Sequence, residues 1–175
     1  HQRQATPSYI QHNKFAVWVQ AGVATSVWTG STNISEGGIF GHTNVGHWVN
    51  IPAVADKYRA YWGLLQSDGS GKVFKAAVVA LNGDLDFAAV KALPTGTVPV
   101  FSPRNSITML NTYAQLIDKM EHLGCITLAF GVSKVFKDEL KDHDTKSPIL
   151  FMLLEKPDKA DPEIGRASCR ERVSS

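Results

Sequence analysis

The 175-residue sequence predicts an α/β fold, a mixed sheet flanked by helices, on three observations. Short runs rich in Val, Ile and aromatic residues alternate with segments that carry one apolar stripe at three- and four-residue spacing. Several strand-like runs are apolar on both faces, as strands covered by helices are. A hydrophobic content of 43% supplies a core for one ordinary domain or two small ones.

The elements follow in order along the chain. Phe15 to Val19 and Thr25 to Thr29 read as strands, with Ala21-Gly22 as the turn between them. A Gly-rich loop, Glu36 to Gly41, leads to a short apolar run, Val45 to Ile51. Pro52 then starts a helix at its favoured first position, with Val54, Tyr58, Tyr61, Trp62 and Leu65 on its buried stripe. Asp68-Gly69-Ser70-Gly71 ends it. Lys72 to Thr97 reads as a crossover containing the apolar run Val78 to Leu81, an Asn82-Gly83 turn and a short helix, Leu85 to Leu93. Val98 to Phe101 is expected as a strand. Ser106 is expected to cap a helix whose buried face is Ile107, Leu110, Ala114, Ile117, Met120 and Leu123, with Gly124 as its stop. Cys125 to Phe130 reads as a strand, Lys134 to Lys141 as a short polar helix, Ile149 to Leu154 as a further strand, and Lys156 to Pro162 as a charged loop.

The two ends are set apart. The chain opens on His1 within a polar stretch and so reads as a fragment or a processed product. Glu163 to Val173, EIGRASCRERV, resembles the translation of a sequencing-adapter oligonucleotide and is left out of the fold reading. Without its three Arg and two Glu, the 18 basic and 16 acidic residues become 15 and 14, a net charge of +1. Such a chain has no global field to hold nucleic acid. Cys125 is then a lone cysteine, expected to be buried in its apolar run, and disulfides and cysteine-rich metal sites are excluded. No apolar run is long enough for a transmembrane segment.

The residues suited to chemistry are few. His12 and Lys14 stand two apart, so on a strand their side chains share a face. They pair an imidazole that attacks or protonates near neutral pH with an ammonium that holds an anionic oxygen, the combination phosphoryl chemistry needs. After the second strand, Gly30-Ser31-Thr32-Asn33 adds a glycine for close backbone approach, a hydroxyl and an amide donor, all phosphate-positioning groups. His42 and His47 have no carboxylate or cysteine cluster beside them, so a loop role is expected rather than metal ligation. Trp18, Trp28, Trp48 and Trp62 lie in apolar runs and are expected in the core rather than stacking on bases.

HNKF, VWTGSTN and SEGGIFGHTNVGH together resemble one repeat of the phospholipase D superfamily, whose signature is HxK, an acidic residue and then GSxN. The resemblance covers His12 to Tyr61, while FSPR (Phe101 to Arg104) and ITLAFGV (Ile126 to Val132) resemble the opening of a second repeat. It implies a phospholipase D-like mixed sheet, divided into the later part of a first repeat (1–71), an inter-repeat connection (72–97), the start of a second repeat (98–162) and the adapter-like tail (163–175). It also implies a metal-independent phosphodiesterase without cofactor, in which two repeats donate one His-Lys pair each to a shared site. One histidine becomes a covalent phosphohistidine and the other protonates the leaving alcohol. Carried over, His12, Lys14 and Asn33 are the catalytic candidates, with His12 as nucleophile or acid. Ser31, Gly30 and Asn44 are the substrate-binding candidates, Asn44 at the rim.

Two departures shape the expectation. Val19 stands where the family has its acidic residue, or Ala21 if the turn is longer, and no second HxK follows downstream. The expectation is therefore an inactive part of a phosphodiesterase acting on a phospholipid or a nucleic acid. Its partner would be the missing second repeat of the same chain or, through a homodimer, a second copy. The alternative is a non-catalytic phospholipase D-like binding or interaction module.

Overall fold

The computed structural model describes residues 12–69, 71–83, 96–129, 131–141 and 149–154. These residues form a mixed α/β chain in two compact units, 12–83 with 96–105 and 106–154.

The first unit is built on a hairpin. β1 (Phe15–Gln20) and β2 (Val23–Gly30) pair antiparallel across Ala21 and Gly22, whose φ values are 48° and 80°. Two residues at positive φ match the twist of the flanking strands, so the expected turn forms and sets the register. Phe15 faces Thr29 and Gln20 faces Val23, with one bulge that leaves Thr25 without a partner. β3 (Gly46–Val49) pairs antiparallel with the other edge of β2, giving the order β1-β2-β3.

One face of this sheet carries the core. α1 (Pro52–Ser67) starts on Pro52 as expected and lays Val54 and Ala55 on Ala24 and Val27, with Phe15, Val17, Val49 and Tyr58 around them. Asp68, in the left-handed conformation, ends it. Further along α1, Tyr61 stacks on Phe101 at 4.5 Å and 11° between ring planes. Val78 of α2 (Gly71–Asn82) completes this second cluster. Arg104 donates to the Gly83 and Phe101 carbonyls, placing a cation at the α2 C-terminus.

The second unit runs α3 (Thr108–Asp118), β4 (Leu123–Leu128), α4 (Lys134–Lys141) and β5 (Ile149–Leu154). β4 and β5 pair in parallel, Leu123 opposite Ile149 through Leu128 opposite Leu154, while α3 packs on α4. Met109, Thr112, Ala114 and Phe136 are buried.

Several expectations are corrected. The described strands do not form one mixed sheet but a three-stranded antiparallel sheet and a separate two-stranded parallel one. The two-residue turn between β1 and β2 keeps that pair antiparallel, because a parallel partner needs a long crossover. The Lys72 side of the supposed crossover is the helix α2, since Val73 to Leu81 holds no breaker and spaces Phe74, Val78 and Leu81 at helical intervals. Val98 to Phe101 is not a strand. Pro99 has no N–H for a ladder and its carbonyl accepts from the Asn82 side chain instead. The helix after Ser106 stops at Asp118, Ile107 and Leu123 are exposed, and Gly124 lies inside β4 rather than ending a helix. Cys125 is exposed, as are Trp18, Trp48 and Trp62. FSPR packs into the first unit through Phe101. The expected helix Leu85 to Leu93, Phe130 and everything from Glu155 onward lie outside the described residues.

Candidate functional site

The hairpin brings the two motifs to one end of the sheet. Lys14 immediately precedes β1 and Gly30 closes β2. The Gly30 N–H donates to the Lys14 carbonyl at 3.3 Å, one rung beyond the Phe15–Thr29 pair. The strand begins at Phe15, so His12 and Lys14 precede it instead of lying on it. Lys14 Nζ donates to the His12 carbonyl at 2.8 Å, which folds the cation back onto its own segment. His12 is exposed and Lys14 half-buried.

A polar chain that the sequence reading did not single out anchors this segment. Thr29 Oγ1 donates to the Lys14 carbonyl at 3.3 Å and accepts from Tyr58 Oη at 3.4 Å. Asn13, between His12 and Lys14, donates through Nδ2 to Tyr61 Oη at 3.3 Å, and Tyr61 Oη donates to the Ser102 carbonyl at 2.6 Å. Burial pushes the Tyr61 phenol above its ordinary value, and the Asn13 hydrogen bond opposes that only in part. The signal was legible: two tyrosines on a buried helical stripe need partners for their hydroxyls.

The tetrad is followed by a latched loop. Ser31 N donates to the Val45 carbonyl at 2.9 Å, and Val45 N donates to Ser31 Oγ at 3.1 Å. Ser31 Oγ donates in turn to Asn44 Oδ1 at 3.1 Å, and Asn44 Nδ2 donates to the Gly38 carbonyl at 2.9 Å. The Glu36–Gly41 stretch is not irregular: Gly37–Gly41 winds one π-helical turn, started by Ser35, whose Oγ accepts from Gly38 N. Gly30 is needed because a Cβ there would overlap the Val45 carbonyl oxygen. The close approach it permits is thus to this chain's own backbone.

The geometry divides the six candidates. Ser31 and Asn44 are joined in the latch, where their polar groups hold the loop, and Gly30 lies against the Val45 carbonyl. Lys14 sits beside Gly30 and against His12, and Asn33 is exposed while its carbonyl accepts from Ser35 N. His12, Lys14 and Asn33 are an imidazole, an ammonium and an amide in the segments that meet at this sheet end, groups of the kind that bind an oxyanion through donated hydrogen bonds. Among the described residues no group of three or more His, Cys, Asp or Glu side chains is placed to hold a metal ion. Comparison with protein-family models, with curated proteins and with solved structures finds no match to this chain.

Proposed function

We propose that this chain carries one half of a phospholipase D-like phosphodiester-cleaving site, with His12 as nucleophile or acid and Lys14 and Asn33 holding phosphoryl oxygens. The observation that supports it is the Gly30-to-Lys14 rung, which brings HxK and GSTN side by side from opposite strands of one hairpin. Full turnover in this reading needs a second His-Lys pair, from another repeat or from a second copy.

Tungstate, a tetrahedral oxyanion, tests the half-site directly. Titration followed through the His12 imidazole resonances is expected to show saturable binding that Lys14→Ala weakens about tenfold or more, the loss of a charge-assisted hydrogen bond. Unshifted His12 resonances at saturating tungstate sink the reading.

A second reading, a non-catalytic binding module on the same fold, is favoured by the latch and by the vacant acidic position, where Val19 is exposed and Ala21 forms the turn. Slow hydrolysis of a chromogenic phosphodiester that disappears in His12→Ala favours the enzyme. Tungstate binding with no turnover at any protein concentration favours the module.

A further inference from the structure

The middle residue of HxK has no part in the half-site chemistry, yet its side chain has a buried partner. Asn13 Nδ2 donates to Tyr61 Oη at 3.3 Å, and two residues on, the Phe15 ring lies 5.9 Å between centroids from the same Tyr61 ring. Asn13 and Phe15 thus meet one residue on the core side. The alternation of an extended chain continues past the start of β1, which puts His12 and Lys14 on the opposite side of the segment. The backbone agrees, since the Lys14 carbonyl accepts from Gly30 N and from Thr29 Oγ1 and so stays against β2.

Tyr61 is suited to hold that segment because it is itself fixed. It is 1% exposed, its ring stacks on Phe101, and its hydroxyl commits its one proton to the Ser102 carbonyl at 2.6 Å. The lone pairs are then what Asn13 uses. Arg104 donates to the Phe101 carbonyl at 3.0 Å and to that of Gly83, so the turn that carries Ser102 is held as well. Ser102, 41 residues after Tyr61, thereby reaches HxK through a single phenol.

We propose that Asn13 and Tyr61 are positioning residues of the half-site, a clamp that holds the middle of HxK against the core so that His12 and Lys14 are presented together to an oxyanion. The clamp rests on the half-site reading and adds to it two residues that touch no substrate. It needs a short side chain with a donor at position 13 and a hydroxyl on a rigid buried ring at position 61. Asn and Tyr supply them.

Two measurements on the full chain test the clamp. Without ligand, Asn13→Ala and Tyr61→Phe are each expected to lower the heteronuclear NOE of the His12 and Lys14 amides, because the segment gains motion on the ps–ns timescale. With tungstate, each is expected to raise the dissociation constant about three- to tenfold, the range of one neutral hydrogen bond. The double variant is expected to lose no more than the larger single loss, because both changes remove the same bond. Val78→Ala thins the core cluster around Tyr61 without touching either hydrogen bond and is expected to change neither readout. Unchanged amides, additive losses, or an equal loss in Val78→Ala overturn the clamp while the parent's tungstate binding leaves the half-site standing. Absence of tungstate binding in the parent sinks the half-site itself and the clamp with it, so the parent alone tells the two failures apart.

Discussion

The two units solve the same problem with different means. In the first, a two-residue turn folds β2 back on β1, and α1 covers one face so completely that Val27, Ala55 and Tyr61 are almost inaccessible. In the second, β4 and β5 pair in parallel as two strands among the described residues, and Leu123, Cys125 and Leu153 face solvent. Antiparallel neighbours cost little loop entropy and tolerate one wet face, whereas parallel strands are normally buried on both faces. The first unit is thus a finished core that brings the HxK and GSTN segments together. The second is a sheet with open faces among its described residues.

The largest expected effect breaks the first unit at its tightest point. Gly30→Ala forces a Cβ onto the Val45 carbonyl and is expected to cost about 3 kcal/mol or more, seen as an early loss of cooperative unfolding in urea. The matched pair Val27→Ala and Leu153→Ala measures the contrast itself. The first is expected to cost about 2 kcal/mol as a buried truncation, the second to stay within about 0.5 kcal/mol. A Leu153→Ala cost as large as that of Val27→Ala would mean that the β4–β5 sheet is covered in solution.

Tyr61→Phe removes the anchor of the HxK segment and is expected to cost about 1 kcal/mol at neutral pH. Its pH dependence has a definite sign. Burial raises the folded Tyr61 pKa above 10.0, so the folded state keeps its proton where the unfolded state loses it. That contribution is fully present below pH 10 and is lost as pH rises through the higher folded value. Urea titrations at pH 8 and at about pH 11 are expected to show a smaller alkaline loss in Tyr61→Phe than in the parent. The smallest effect is a label without a stability change: Cys125 is expected to react with a thiol reagent in the native protein, as an exposed thiol does.

Much of the local structure was legible because its causes are local. Ala21-Gly22 as a turn, Pro52 as a helix start, Lys134–Lys141 as a helix and Ile149–Leu154 as a strand all follow from neighbouring residues. Gly124 and Pro99 misled for the opposite reason. A glycine next to a helical stripe is a common stop, but here the helix ends at Asp118 and Gly124 packs against Met120 inside a strand. Pro99 sits in an apolar run, and its carbonyl accepts from the side chain of Asn82, seventeen residues away.

The candidate site shows the same division. The sequence alone determined which groups are present, His12, Lys14, Ser31 and Asn33, and their places just outside the ends of two adjacent strands, because side-chain chemistry and a two-residue turn are properties of short segments. Only the tertiary structure decided how they are used. Val45, fourteen residues after Ser31, returns to occupy the space above Gly30 and its N–H donates to the Ser31 hydroxyl, while Asn44 completes the latch. The Tyr61 phenol, 48 residues from Asn13, holds the HxK segment from across the core. Hydrogen-bond satisfaction among groups so far apart depends on packing, which no local pattern encodes.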